Sequence, residues 1–148
     1  MASGAVEIGT ALIGLVKVPR PALLPDGSEA DENTRKEMQY LRVFAVDFTV
    51  AMNFRGAPRG KQILDAFYGG LKDRLGDGDA AQAFWYKLKP RLLEFTKAVK
   101  QGHENGPAWS VGSVFAELCS PGPPGAVETM TGVEVFMDVA REVKALID

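Results

Sequence analysis

The stretch "DENTRKEMQYLRVFAVDFTVAMNF" at residues 31–54 decides the fold class, because its apolar residues fit two kinds of secondary structure. From Phe44 to Phe54 every second residue is apolar, as in a half-buried strand. The same run also offers one helical face, formed by Leu41, Phe44, Ala45, Phe48 and Met52. The apolar run is long for a single strand, and the polar residues before it initiate helices well, with Asp31 as a candidate N-cap. We therefore predict one long, largely buried helix over about 31–54.

Two amphipathic segments follow it. Residues 60–76 carry an apolar stripe at helical spacing that ends at Gly76 and consists of Leu64, Phe67, Tyr68, Leu71 and Leu75. A second stripe runs without a change of phase through Pro90 and consists of Ala81, Trp85, Leu88, Leu92, Phe95 and Val99. An interior proline costs a helix about 3 kcal/mol, so we predict one proline-kinked helix over about 79–101, capped by Asp77 or Asp79.

The C-terminal third contains two further helix signals on either side of a strong break. Ser110 is a candidate N-cap for a short helix, and Thr131 and Glu134 have the spacing of a capping box for a last helix over 132–147. The break is "SPGPPG" at 120–125, which cannot continue a helix.

The N-terminal segment, 1–27, is the least determined part of the chain. Residues 1–18 form either a short helix weakened by glycine or a strand, and we prefer the helix; the whole segment could serve as an interface arm. The apolar stretch at 9–18 has ten residues, whereas a membrane-spanning helix needs about 20, so no membrane span is predicted. The fold prediction is an all-α, compact single-domain helical bundle of five to six helices over 1–148.

The composition is that of one globular domain. With 148 residues, 46% of them hydrophobic, the chain can bury a core without covalent staples. The single cysteine, Cys119, excludes an internal disulfide and fits a reducing compartment, so we expect a cytoplasmic protein.

Charge is distributed unevenly along the chain. Residues 54–101 hold ten Lys and Arg against five Asp and Glu, whereas residues 102–148 hold two against seven. Either these segments neutralise each other or remain solvated, or the basic middle segment attracts an anionic partner.

The stretch "FRGAPRGK" at 54–61 is the most basic loop. It lacks the length of a phosphate-binding P-loop, and Gln62 stands where that motif needs a hydroxyl. A helix N-terminus binds anions without a motif, however, and acidic side chains such as Asp65 could equally neutralise the cations. The candidate ligands for an acidic molecule are Arg55, Arg59, Lys61, Lys89 and Arg91.

Other chemistry has little support. His103 is the single histidine and is predicted in a loop, so we expect no metal, no haem or other cofactor and no catalytic constellation; whether His103 or Cys119 has a chemical role stays open. Cations flank Tyr86 in "FWYKLKPR" at 84–91, yet a pI near 5.5 argues against nucleic acid as a partner.

These observations favour a non-enzymatic helical interaction or regulatory domain that binds a protein partner or forms a homo-oligomer. The alternative is a small-molecule-binding, sensor-like domain. Its basic pocket for an acidic ligand would lie between the 31–54 helix and the kinked helix.

Overall fold

A computed structural model describes residues 4–19, 21–119 and 125–148. Within those residues the only strand-like pairing is an isolated bridge between Leu23 and Glu29. A short 3₁₀ helix, Ile13–Val16, accompanies six α-helices: α1 (Ala5–Leu12), α2 (Glu32–Phe54), α3 (Pro58–Leu75), α4 (Asp79–Gln101), α5 (Pro107–Cys119) and α6 (Ala126–Ile147). The predicted all-α bundle is therefore confirmed. None of the described helices combines the length and the apolar character that crossing a membrane requires.

Helix α2 is the centre of the bundle. It begins where the sequence predicts, because the Asp31 carboxylate accepts a hydrogen bond from the Thr34 amide at 2.7 Å and so satisfies one of the free N–H groups of the first turn. It ends at Arg55, whose left-handed backbone (φ 41°) stops the helix. Helices α3, α4, α5 and α6 all contact α2, which explains why apolar residues lie on nearly every side of it.

The boundaries of α3 and α4 also follow the sequence closely. Helix α3 starts two residues before the predicted 60 because Pro58 occupies its first turn, where a missing N–H costs nothing. Helix α4 continues through Pro90 from Asp79 to Gln101. The predicted caps of α4 are wrong: its N-cap is Gly78, which has no side chain to accept a hydrogen bond.

The predicted starts of the last two helices are wrong as well. Helix α5 begins at Pro107, which fits the first turn, so Ser110 lies inside the helix and is buried. Helix α6 begins at Ala126, six residues before the predicted start, and the Thr131 hydroxyl donates to the Val127 carbonyl at 2.7 Å instead of capping. Most of the predicted break, residues 120–124, lies outside the described residues.

Helices α5 and α6 cross at two glycines. A Cβ atom placed on Gly132 would lie 2.8 Å from the Cα atom of Gly112, so neither position has room for a larger side chain. This contact fixes α5 against α6 and brings Phe115 into the core beside α2.

The N-terminal segment packs against α3. Its buried side chains are Ile8, Leu12, Ile13 and Val16. The preference for helix is confirmed over Ala5–Leu12, and the buried side chains of the segment belong to the main core. Its use as an interface arm stays a prediction.

Candidate functional site

An open groove of about 770 Å³ lies between the 3₁₀ helix, the first half of α2 and the end of α3. Its volume lies within the range of small-molecule sites in proteins. The groove is lined by Ile13, Val16, Lys17, Val18, Pro19, Glu32, Arg35, Lys36, Gln39, Leu71, Arg74 and Leu75.

Helical spacing brings these side chains to one place. On α2, Glu32, Arg35, Lys36 and Gln39 follow each other at steps of three, one and three, so they share a face. The last turn of α3 adds Arg74 beside two leucines, and the chain leaving the 3₁₀ helix adds Lys17. The apolar floor therefore has a cationic rim, with four cations against one carboxylate.

Arg35 is the most firmly held cation of the rim. Its side chain is 13% exposed, and its guanidinium donates to the Glu32 carboxylate at 3.3 Å and to the Val18 carbonyl at 3.4 Å. Its Nε atom is buried and has no hydrogen-bond partner among the described residues.

The other rim cations, Lys17, Lys36 and Arg74, are exposed. Across residues 4–19, 21–119 and 125–148, none of the three forms an ion pair. The residues that line the groove therefore carry a net positive charge.

The outer face of α4 is a second unusual surface. Tyr86 is 82% exposed and Leu93 is 65% exposed, and their spacing of seven residues places them on one ridge opposite the buried Leu88 and Phe95. Pro90 lies between them and has no N–H, so the Tyr86 carbonyl lacks its helical donor. Three lysines share or flank this ridge: Lys89, Lys97 and Lys100.

A smaller cavity of about 350 Å³ lies between the end of α4 and α5. His103 lines it from the loop that the sequence predicts, where its Nδ1 atom accepts a hydrogen bond from the Asn105 amide at 3.0 Å and its ring stacks on Trp109. The buried Ser110 hydroxyl lines the same cavity and makes no hydrogen bond with any described residue, the His103 imidazole included.

The five residues predicted to bind an acidic ligand do not line either of these two cavities. Arg55 is the C-cap of α2, whereas Arg59 and Lys61 lie in the first turns of α3. Lys89 and Arg91 lie on α4. The assignment of these residues to an anion site stays a prediction, and the structure distributes them over two regions.

Arg91 shows how far apart these regions are. It donates to both oxygens of Glu37, at 2.7 and 2.9 Å, close to the start of α2. Arg55 lies 18 residues further along the same helix, which corresponds to about 27 Å at 1.5 Å per residue. One small ligand therefore cannot contact both side chains.

The Glu37–Arg91 pair occupies Arg91 almost completely. The Glu37 side chain is 5% exposed, and the Arg91 guanidinium also lies 6.0 Å from the centre of the Tyr40 ring. The hydrogen bond to Glu37 raises the pKa of Arg91, although partial burial opposes the shift. In the sequence, this pair is indicated by Glu37, which is an acidic residue on an otherwise apolar face of α2.

Cys119 is half-buried at the end of α5, and burial raises the pKa of its thiol to about 12. A thiol with so high a pKa is a poor nucleophile at neutral pH. In the described parts of the chain, no three His, Cys, Asp or Glu residues cluster in a way that could hold a metal ion.

Comparison of the chain with protein-family models, with curated proteins and with solved structures finds no match.

Proposed function

We propose that this chain is a non-enzymatic helical interaction domain that binds a protein partner through the outer face of α4. The observation that carries the proposal is the exposure of Tyr86 and Leu93 on one ridge of a helix whose opposite face is buried. Tyrosine is enriched among the residues that contribute most to protein–protein binding.

Charge specifies the chemistry of the partner. Lys89, Lys97 and Lys100 surround the two apolar side chains, and Lys97 forms only a long, exposed contact of 4.0 Å with Glu94. The proposed partner therefore offers an apolar contact flanked by carboxylates. The Tyr86 carbonyl, freed by Pro90, adds a backbone acceptor for a donor on the partner.

The chain itself has one surface that combines an exposed apolar side chain with carboxylates. On α6, Met137 is exposed and lies beside Glu134 and Asp138. A second copy could therefore dock its α6 on α4, and such a head-to-tail contact between two different surfaces would not close on itself as a dimer. Self-association is thus one specific form of the proposal.

The test is photo-crosslinking in cells with a photoreactive residue at position 86, and at the exposed position 62 of α3 as the matched control. We expect a discrete adduct at position 86 that is absent at position 62 and is lost when Leu93→Glu is added. Sequencing of the adduct tells a foreign acidic segment from α6 of a second copy. No adduct at position 86, or equal adducts at both positions, would refute the proposal.

A second candidate function, binding of a small molecule, is favoured by a separate observation. The groove between the 3₁₀ helix, α2 and α3 combines an apolar floor with three exposed cations that form no ion pair with a described residue. The groove does not lie between the 31–54 helix and the kinked helix, where the sequence suggests a pocket. Its cations come from segments that are far apart in sequence.

A further inference from the structure

The rim of the groove is built to hold an anionic group. Arg35 is already fixed by the Val18 carbonyl, so little of its freedom remains to be lost when a ligand binds. Its terminal nitrogens make only long contacts, of 3.3 and 3.4 Å, so a carboxylate or phosphate group in the groove could offer them a shorter charge-assisted hydrogen bond. Lys17, Lys36 and Arg74 can each reach toward the same group from a different segment.

The floor of the groove requires an apolar group as well. Five aliphatic side chains form it: Ile13, Val16, Val18, Leu71 and Leu75. A simple anion such as phosphate would leave this surface in contact with water, and an apolar molecule without charge would leave the cations without a partner. A ligand that satisfies both parts carries an acidic head and an apolar chain.

We infer that the groove binds an anionic amphiphile, which is a carboxylate or phosphate head group attached to an apolar chain. The head lies among Arg35, Lys17 and Arg74, and the chain lies over the side chains of the 3₁₀ helix and the end of α3. This inference rests on the ligand-binding function and not on partner binding by α4.

Isothermal titration calorimetry of the full chain with decanoate and with decyl phosphate, each below its micelle concentration, tests the inference. Both should bind, whereas acetate, inorganic phosphate, decanol and decyltrimethylammonium should not. Octanoate should bind more weakly than decanoate, by up to about fourfold for each methylene removed. Affinity should also fall as salt is raised, because exposed cations are screened.

Variants locate the site. Lys17→Gln and Arg74→Gln remove exposed cations and should each weaken decanoate binding at least about fivefold, since hydrogen bonds to charged groups contribute strongly. Lys144→Gln removes an exposed cation from α6, outside the groove, and should leave decanoate binding unchanged. Leu75→Asn, with its folding checked by circular dichroism, should weaken the binding of decanoate but leave the salt dependence of that binding unchanged.

Three results would overturn the inference. They are equal binding of decanol and decanoate, equal effects of Lys144→Gln and Lys17→Gln, and binding of an acidic amphipathic peptide without binding of either decyl amphiphile. A Tyr86→Ala, Leu93→Ala double variant should keep full decanoate affinity. Failure of the α4 proposal and failure of the groove proposal are therefore distinguishable.

Discussion

Replacement of Arg91 by methionine should destabilise the protein strongly, although Arg91 lies on the side of α4 and not at the centre of the core. The side chain of its partner, Glu37, is 5% exposed, so the carboxylate cannot turn into water once the guanidinium is gone. Arg91→Met therefore leaves a buried charge without its counter-ion.

The magnitude follows from the geometry of the pair. Two charge-assisted hydrogen bonds, of 2.7 and 2.9 Å, are lost together, as is the contact with the Tyr40 ring. Breaking a buried ion pair from one side typically costs about 3–5 kcal/mol, so we expect a loss of about 4 kcal/mol in the free energy of unfolding. Glu37→Leu should cost less, about 1–2 kcal/mol, because the Arg91 side chain is 24% exposed and its charged end can move toward solvent.

The assay is urea unfolding followed by circular dichroism at 222 nm, for wild type, both single variants and the Glu37→Leu, Arg91→Met double variant. The double variant should lie within about 1 kcal/mol of wild type, since an apolar pair replaces the ionic one. The cycle would then give a coupling energy of about 3 kcal/mol or more, well above the value for an exposed pair.

A loss below about 1 kcal/mol for Arg91→Met would refute this reasoning, and so would a double variant less stable than Arg91→Met alone. Either result would mean that Glu37 reaches water or another donor, and that Arg91 is available to bind an external anion. A large coupling energy would instead make Arg91 a structural residue and remove it from the predicted anion site.

Three further predictions concern other contacts. Gly9→Ala should cost about 1–3 kcal/mol in urea unfolding, because its Cβ would lie 2.6 Å from backbone and side-chain atoms of α3, whereas Gly14→Ala, with open space around it, should be neutral or slightly stabilising. Tyr68→Phe should lower the free energy of unfolding by about 1–3 kcal/mol, because it removes a hydrogen bond of 2.5 Å to the Asp47 carboxylate on α2. Tyr86→Phe on the exposed ridge should leave the free energy of unfolding nearly unchanged in the same assay. At pH 9, Cys119 should react with iodoacetamide roughly 500-fold more slowly in the folded chain than in urea. The reason is that its pKa is about 12 in the folded chain against the ordinary value of 9.0, which leaves little thiolate. Equal rates would show that burial does not hold the thiol protonated. The same shift stabilises the folded state below pH 9, and that contribution is lost progressively as the pH rises from 9 toward 12.

Length and capping made α2 predictable in spite of its alternating apolar residues. A strand of that length would have been unusual, and Asp31 gave the start that the Thr34 amide confirms. The starts of α5 and α6 were not predictable in the same way. Ser110 and Thr131 are as acceptable inside a helix as at its N-cap, and only the neighbours of each segment decide between the two.

Pro107 indicates the start of α5 better than Ser110 does. Proline in the first turn costs no hydrogen bond and presets the backbone angle, so the helix gains more by starting there than at a hydroxyl three residues later. At the crossing with α5, Gly112 lies against Thr129 as well as Val133 of α6, so the packing surface of α6 begins before the predicted start at 132. This contact lies between two helices, so the local sequence pattern of α6 does not show it.

The sequence does not predict the groove, because the net charge of a segment does not show where its cations lie in the fold. Lys17, Lys36 and Arg74 come from three segments, and two of these residues belong to residues 1–53, where acids outnumber bases by seven to five. Folding places these cations, together with Glu32, around one apolar floor. The predicted residues, by contrast, come from two short stretches, 55–61 and 89–91, and one of them, Arg91, is paired with the buried Glu37, which lies 54 residues away in sequence. A basic site in a helical domain is thus better sought by the face each cation occupies on its helix than by the net charge of its segment, because helical spacing determines which side chains meet.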